Sequence, residues 1–182
     1  MSENIDTALL SKFYSDRYVT FFAELTKEHD WKTVLEWGTG WGESGLGFTL
    51  GGADVISIDS GYAMYGYAIV VNWKLAKDSQ KAFGTYDNID WIKASDEHIP
   101  IIPMMWDCIF IDTSHEYERT VTELEIAKDL TYNIILDDVG WDGGKTILKA
   151  MNEFVVKHSE WKNVELKQPA GLGIGLLMRN ND

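Results

Sequence analysis

Short apolar runs alternate with longer segments of helical character along most of the chain. Five runs are short, rich in Val and Ile, and end on a polar residue or glycine; they are TVLEWG, ADVISID, IDWIKAS, WDCIFID and YNIILDD. Such runs are typical of buried strands. Between them apolar residues recur at helical spacing, most clearly over residues 116–130 and in GKTILKAMNEFVVKHSEW. Strands that alternate with helices predict an α/β fold, with a parallel sheet covered by helices on both faces.

The two ends of the chain depart from this alternation. Residues 5–29 carry apolar side chains at roughly helical spacing with a break at Asp16, so residues 1–31 are predicted to form an N-terminal helical segment. At the other end, NVELKQ and GLGIGLLMR flank Pro169-Ala170-Gly171 with no helix between them, which predicts an antiparallel hairpin. The 182 residues contain no repeat and no Pro-rich linker, so we expect a single domain over residues 1–182.

The charge balance narrows the range of partners. The chain has 16 Lys and Arg against 29 Asp and Glu, a net charge of −13, which repels phosphate backbones and anionic lipid. We therefore expect no nucleic acid and no membrane surface as a partner, whereas small neutral or cationic molecules, divalent metals and a second copy of the chain stay possible. The single cysteine, Cys108, excludes an internal disulfide, and the first residues lack a secretory pattern. These features predict a soluble, cytoplasmic protein.

Acidic and hydroxyl side chains stand where the predicted strands end. They are Glu36, Asp59, Ser95, Asp112, Asp137 and Asp138. Ligands of open α/β sheets bind outside the carboxyl ends of the strands, so these side chains are predicted to line one crevice. Any one of them alone could be a turn residue or a helix cap. Several carboxylates along one crevice would repel each other unless a cation or a hydroxyl-rich ligand lies among them.

Three glycines follow the first predicted strand within five residues, in VLEWGTGWGES; they are Gly38, Gly40 and Gly42. Glycine tolerates positive φ and close approach, so this spacing predicts a bend built around a ligand. The G-x-G-x-G pattern differs from the G-x-G-x-x-G of dinucleotide folds, which disfavours a pyrophosphate. Asp59, about twenty residues further on, could bind both hydroxyls of a ribose, and Ser95-Asp96 could reach an adenine edge. Together they favour a nucleoside cofactor without phosphates.

At these residues the sequence resembles the class I S-adenosylmethionine-dependent methyltransferases, from about residue 33 to residue 179. EWGTGWGES is similar to their first motif, VISIDS to their ribose-binding acidic strand and KASDEHIP to their adenine loop. The resemblance implies a Rossmann-like, seven-stranded, mostly parallel sheet with a C-terminal antiparallel hairpin, and S-adenosylmethionine as cofactor. The cofactor-binding residues on this reading are Glu36, Gly38, Gly40, Trp41, Gly42, Ser44, Asp59, Ser60, Tyr62, Ser95, Asp96 and Asp112.

A second stretch, FIDTSHEYERTVTELE followed by IILDDV, resembles a metal-dependent subgroup of that family. The subgroup includes catechol-type and macrolide-sugar O-methyltransferases and cephalosporin-hydroxylase-like proteins. The resemblance implies a magnesium ion held by Asp112, Asp137 and Asp138, with Asp112 and His115 as catalytic residues and His115 as the base. The alternative is that Asp137 or Asp138 caps a helix beginning near Gly143. Converging carboxylates favour the metal, since without a cation their pKa values would shift strongly.

The sequence therefore predicts an S-adenosylmethionine-dependent O-methyltransferase, assisted by Mg²⁺, whose acceptor is a hydroxylated small molecule such as a sugar or a catechol. Two alternatives stay open. One is an enzyme that uses the same cofactor for N-methylation or that cleaves it, and the other is a non-catalytic nucleoside-binding or assembly subunit. A requirement for a divalent metal would distinguish the O-methyltransferase from the enzyme that N-methylates or cleaves the cofactor. Any turnover would distinguish both enzymes from a non-catalytic subunit.

Overall fold

A computed structural model describes residues 5–14, 16–61, 73–94, 104–114, 116–140, 144–166 and 173–180. Two helices come first, and helix α2 begins at Asp16, where the apolar spacing breaks. The elements in chain order are α1 (Thr7–Leu10), α2 (Asp16–His29), β1 (Thr33–Trp37), α3 (Glu43–Gly51), β2 (Asp54–Asp59), α4 (Trp73–Phe83), β3 (Ile89–Lys93), β4 (Cys108–Ile111), α5 (Tyr117–Ala127), β5 (Asn133–Leu136), α6 (Lys145–Lys157), β6 (Trp161–Val164) and β7 (Gly175–Arg179).

All seven strands form one sheet in the order β3-β2-β1-β4-β5-β7-β6. Strands β1 to β5 are parallel to their neighbours, whereas β7 is antiparallel to both β5 and β6. This arrangement confirms the predicted mostly parallel sheet with a C-terminal antiparallel pair. The chain progresses outward from β1 to β3 and then returns to place β4 on the other side of β1. Such a reversal leaves a crevice at the carboxyl ends of the two central strands, where open α/β sheets bind their ligands.

The register of the central strands brings their ends level. Trp37 of β1 pairs with Ile111 of β4, and Ile111 pairs with Leu136 of β5. The next residues along the chain are Gly38, Asp112 and Asp137. The loops after three adjacent strands therefore begin side by side at one edge of the sheet.

Helices cover both faces of the sheet, as the sequence predicted. Alternate residues of a strand point to opposite faces. In β4, Ile109 packs with side chains of α5 and α6, whereas Phe110 packs with side chains of α2 and α3. No helix within the described ranges is long and apolar enough to cross a membrane.

Helix α2 lies very close to helix α3. A Cβ atom added to Gly47 would stand 2.6 Å from Cβ of Phe22, and one added to Gly51 would stand 2.4 Å from Cβ of Thr26. The Phe22 ring also packs against Phe48 of α3 and Phe110 of β4, with ring centroids 4.8 and 5.0 Å apart. Helix α2 is therefore held in a fixed position against the helix that begins directly after the glycine loop.

Candidate active site

The glycine loop connects β1 to α3 and passes against the end of β4. Its three glycines, Gly38, Gly40 and Gly42, have φ angles of +94°, +50° and +85°. These angles lie in the region that side chains disfavour, which is why the sequence needs glycine at these positions. A Cβ atom on Gly38 would also lie 1.7 Å from the carbonyl oxygen of Asp112, so the loop and the residue after β4 are in direct contact.

Asp59, the last residue of β2, holds this loop through its carboxylate. Its Oδ2 atom accepts hydrogen bonds from the backbone N–H groups of Thr39 at 2.9 Å and Gly40 at 3.3 Å. Its Oδ1 atom accepts a third from Gly61 at 2.7 Å. The predicted ribose carboxylate thus stands beside the glycine loop, half-buried, and is followed by the half-buried Ser60.

Glu36 supports the loop from inside the protein. It is fully buried within β1, and its carboxylate accepts hydrogen bonds from the hydroxyls of Ser44, at 2.5 Å, and Ser57. Burial raises the pKa of Glu36 to about 7, while the bonds from the two serines act in the opposite direction and the charge of Asp59 raises the pKa further. The resemblance predicted that Glu36 and Ser44 bind the cofactor; in the structure they are hydrogen-bonded to each other, next to the glycine loop.

The raised pKa of Glu36 makes stability depend on pH. Because its folded pKa of about 7 exceeds the usual 4.5, the folded chain holds a proton that the unfolded chain releases between these values. The free energy of unfolding should therefore fall as pH rises from about 4.5 to 7, with a contribution of about 3 kcal/mol from this group. We expect Glu36→Gln, which cannot ionise, to lose this part of the pH dependence. Urea unfolding of both proteins across that range measures it, and parallel stability curves would show that Glu36 does not titrate there.

Three carboxylates meet at the ends of β4 and β5. Asp112 follows β4, and Asp137 and Asp138 follow β5, with the Asp137 N–H donating to the carbonyl of Ile111 at 3.1 Å. The pKa of Asp112 is raised well above its usual value, first by burial and then by the charges of Asp137 and Asp138. These groups are therefore close enough to repel one another, as the order of the strands predicts.

The Asp137 carboxylate is held at both oxygens. Oδ1 accepts the backbone N–H of Asp138 at 2.8 Å, and Oδ2 accepts the hydroxyl of Tyr18. Helix α6 begins at Lys145 with Gly144 as its N-cap, so neither aspartate occupies the N-cap position.

Tyr18 is a site residue that the sequence analysis missed. It lies in the first turn of α2, and its hydroxyl reaches Asp137 across 119 residues of sequence. The pKa of Tyr18 is raised well above its usual value by burial, by the charges of Asp112 and Asp137 and by its hydrogen bond to Asp137. The phenol therefore stays neutral and acts as a donor among the carboxylates. Helix α2 contains the aromatic residues Tyr18, Phe21 and Phe22, and nothing in their spacing distinguishes Tyr18 as a site residue.

The loop between β4 and α5 is anchored by a buried acidic side chain. Glu123 of α5 is fully buried and accepts hydrogen bonds from the Thr113 hydroxyl at 2.7 Å and from Nε of Arg119 at 3.1 Å. A small cavity lies next to this loop. Its lining residues are Ile111, Asp112, Thr113, Ser114, Thr120, Leu136, Asp137 and Ile147. The cavity is thus lined by polar residues that follow β4 and β5, and by the apolar side chains of Ile111, Leu136 and Ile147.

The donor chemistry of the carboxylates fits a divalent cation, since Mg²⁺ prefers hard oxygen ligands and commonly binds through one or two carboxylates plus water. Burial first, and then the charges of Asp137 and Asp138, raise the pKa of Asp112, and a bound cation would offset both effects. Over the ranges that the structure describes, however, no three His, Cys, Asp or Glu side chains are arranged as a metal-binding group. The magnesium site stays a prediction.

Other predicted residues fall on the rim or outside the described ranges. Trp41, in the glycine loop, is 52% exposed, and its carbonyl accepts the hydroxyl of Tyr14 at 2.7 Å. Four predicted site residues lie outside the described ranges; they are Tyr62, Ser95, Asp96 and His115.

No protein-family model matches the sequence, and comparison with curated proteins finds no match. Solved structures do match. The O-methyltransferase TomG from Streptomyces achromogenes, involved in tomaymycin synthesis and solved in complex with S-adenosylmethionine, has a TM-score of 0.69 at 14% identity over 98% of this chain and 92% of its own. An O-methyltransferase from Bacillus cereus, in complex with S-adenosylhomocysteine, has a TM-score of 0.66 at 16% identity, with coverages of 97% and 93%. An S-adenosylhomocysteine-bound methyltransferase from Podospora anserina has a TM-score of 0.63 at 16% identity, with coverages of 99% and 84%. The chain therefore has the fold of these S-adenosylmethionine-dependent methyltransferases.

Proposed function

We propose that the protein is an S-adenosylmethionine-dependent O-methyltransferase that methylates a hydroxyl of a small molecule, such as a sugar or a catechol, with the assistance of Mg²⁺. The observation that carries this proposal is one juxtaposition. The glycine loop, braced by Asp59, lies directly against the backbone of Asp112, and the charges of Asp137 and Asp138 act on the Asp112 carboxylate. The predicted nucleoside site and the predicted acidic site would therefore share one crevice. The methyltransferases of the same fold that were solved with this cofactor or its product support the proposal.

The cofactor half of the site follows from the glycine loop and β2. The bare backbone at Gly38 and Gly40 would let the amino-acid part of the cofactor approach closely, and Asp59 would accept hydrogen bonds from the ribose hydroxyls. Ser60, Tyr62, Ser95 and Asp96 follow β2 and β3 in sequence and would contact the adenosine, with Trp41 at the rim. Glu36 and Ser44 would act through the loop that they support.

The acceptor half would be served by Asp112, His115 and the Asp137-Asp138 pair. S-adenosylmethionine, when bound, would supply a methyl group attached to its sulfonium sulfur, for in-line transfer to the acceptor oxygen as the methyl–sulfur bond breaks. A neutral hydroxyl is a poor nucleophile, so His115 would take its proton, leaving the methyl ether and S-adenosylhomocysteine as products. Mg²⁺ held by Asp112, Asp137 and Asp138 would lower the pKa of the acceptor hydroxyl. Without a bound metal, the same carboxylates would orient the acceptor by hydrogen bonding.

The first test is cofactor binding. We expect calorimetry to show binding of S-adenosylmethionine and S-adenosylhomocysteine, and Asp59→Ala to weaken both by about 1.5–3 kcal/mol, the size of hydrogen bonds to a charged group. Asp59→Asn should lose less, because an amide oxygen can still accept the N–H of Thr39. Asp54→Ala is the matched control, since Asp54 is the exposed first residue of the same strand, at its opposite end. Tight binding of NAD with neither expected ligand bound would refute the proposal.

The second test is turnover. Mass spectrometry of mixtures containing the protein, S-adenosylmethionine, and hydroxylated sugars or catechols should reveal a product heavier by one methylene unit. We expect a chelator to suppress the reaction and added Mg²⁺ to restore it. Methylation of an amine, or turnover that a chelator leaves intact, would favour the related enzyme that uses the same cofactor without the metal. Binding without any turnover would favour a non-catalytic subunit.

A further inference from the structure

Two tyrosines near the start of α2 have hydroxyls that contact residues of the candidate site. Tyr14 follows α1 and Tyr18 lies in the first turn of α2, four residues further along the sequence. The hydroxyl of Tyr14 donates to the carbonyl of Trp41 in the glycine loop at 2.7 Å and lies 3.0 Å from the hydroxyl of Ser79. The hydroxyl of Tyr18 donates to Asp137. The same short segment therefore contacts both the cofactor loop and the carboxylates.

The segment that carries Tyr18 is rigidly attached to the cofactor side of the molecule. Close packing at Gly47 and Gly51 holds α2 against α3, the helix that starts after the glycine loop. The Tyr18 ring meets the Phe22 ring edge-on, with centroids 4.9 Å apart, and Phe22 is fully buried. The position of the Tyr18 hydroxyl is thus set by the packing of the helix and not by the carboxylate that it contacts.

We propose that Tyr18 is a positioning residue that orients the Asp137 carboxylate for a divalent cation, and so couples helix α2 to the acceptor half of the site. This inference rests on the proposed function. Asp137 is fixed by a donor at each oxygen, the N–H of Asp138 and the hydroxyl of Tyr18. A carboxylate oxygen accepts more than one bond, so this hydrogen bonding is compatible with metal binding. Carboxylates that bind metals are commonly oriented in this way, and loss of such a partner costs about 10–100-fold in metal affinity.

A purely structural role for Tyr18 makes a different prediction. If the ring only packs against Phe22, then removing the hydroxyl while keeping the ring should leave metal affinity unchanged. If the hydroxyl orients Asp137, metal affinity should fall while cofactor affinity stays the same, because the glycine loop and Asp59 do not contact Tyr18 through that hydroxyl. The two roles are therefore separated by which ligand is affected.

The experiment compares Tyr18→Phe with wild type and with the control Tyr132→Phe. Tyr132 is 46% exposed and precedes β5, at the end of that strand away from Asp137. Binding of Mn²⁺ is measured by electron paramagnetic resonance in the presence of saturating S-adenosylhomocysteine. We expect Tyr18→Phe to weaken Mn²⁺ binding by about 10–100-fold and the control to change it by less than about twofold. The affinity for S-adenosylhomocysteine, measured separately by calorimetry, should be the same in all three proteins.

A double-mutant cycle with Asp137→Asn completes the test. In that background Tyr18→Phe should change residual Mn²⁺ affinity by less than about twofold, since the carboxylate that the hydroxyl orients is gone. Equal Mn²⁺ affinity in wild type and Tyr18→Phe overturns the inference and leaves the proposed function standing. A loss of cofactor affinity in Tyr18→Phe as large as the loss of metal affinity has the same two consequences. A wild-type protein that binds S-adenosylhomocysteine but not Mn²⁺ removes the metal from the proposed function and this inference with it.

Discussion

Gly38→Ala is expected to lower the free energy of unfolding by more than about 4 kcal/mol, which places it among the most damaging single substitutions. Two causes act together. The residue has a φ of +94°, and its new Cβ atom would stand 1.7 Å from the Asp112 carbonyl oxygen and 2.6 Å from the carbonyl carbon. These are backbone atoms at the end of a central strand, so neither can move without distorting the sheet. Since small domains are stable by only about 5–15 kcal/mol, we expect a large unfolded fraction in solution.

Gly52→Ala separates the two causes. Gly52 has a φ of +101°, close to that of Gly38, but a Cβ atom there would have no atom within 4 Å. It should therefore cost only the backbone strain, about 1–2 kcal/mol. Urea unfolding followed by circular dichroism measures both variants. Equal losses in the two would mean that the glycine loop does not press against the end of β4.

The centre of the parallel sheet was predictable because its strands are buried on both faces. All four residues of β4 are buried, and so are the last four of β1. In the sequence β4 is therefore an unbroken apolar run, and β1 is an apolar run interrupted only by Glu36. The C-terminal pair is less distinct, because β6 has two exposed residues, Lys162 and Asn163, between a buried and a half-buried one. The antiparallel pair was predicted because no helix separates the last two segments, and a short connection without a helix can join only antiparallel strands.

The strand ends of the candidate site were predictable for the same reason. Once the apolar runs are identified, Asp59, Asp112, Asp137 and Asp138 follow as the polar residues that terminate them, and parallel strands bring such residues to one edge. The direction in which each side chain points was not predictable. Glu36 also stands near the end of an apolar run, yet it faces the interior.

Partners from distant parts of the chain decide these orientations. Glu36 is fully buried because hydroxyls from α3 and β2 satisfy its carboxylate, and the hydroxyl of β2 comes from Ser57, 21 residues further on. Tyr18 reaches Asp137 because α2 packs on the glycine-bearing side of α3. Both contacts depend on how helices pack on the sheet, which periodicity along the chain does not specify.

Loss of His115 is expected to be the most damaging change to catalysis. The residue follows Ser114, which lines the small cavity together with Asp112 and Asp137, and it stands two residues before the start of α5. Histidine titrates nearest to neutral pH, so it can be unprotonated before the reaction and accept the proton of the acceptor hydroxyl during it. We expect His115→Ala to lower turnover by about 10²–10⁴-fold, equivalent to about 3–5 kcal/mol of the activation barrier.

The control for this prediction is His158→Gln. His158 caps the far end of α6, with Nε2 2.9 Å from a carboxylate oxygen of Glu125, and its ring packs against Phe154 of the same helix. The variant His158→Gln should keep its activity with the acceptor that the mass-spectrometric screen identifies.

His115→Ala should still bind S-adenosylmethionine and Mn²⁺, because its carboxylates and glycine loop are intact. It should also lose the acidic limb of the pH–rate profile, where protonation of the base slows the wild-type enzyme. Turnover close to that of wild type with the same acidic limb would assign the proton transfer to another group, and Asp112, the carboxylate whose pKa the crevice raises, would be the next to test.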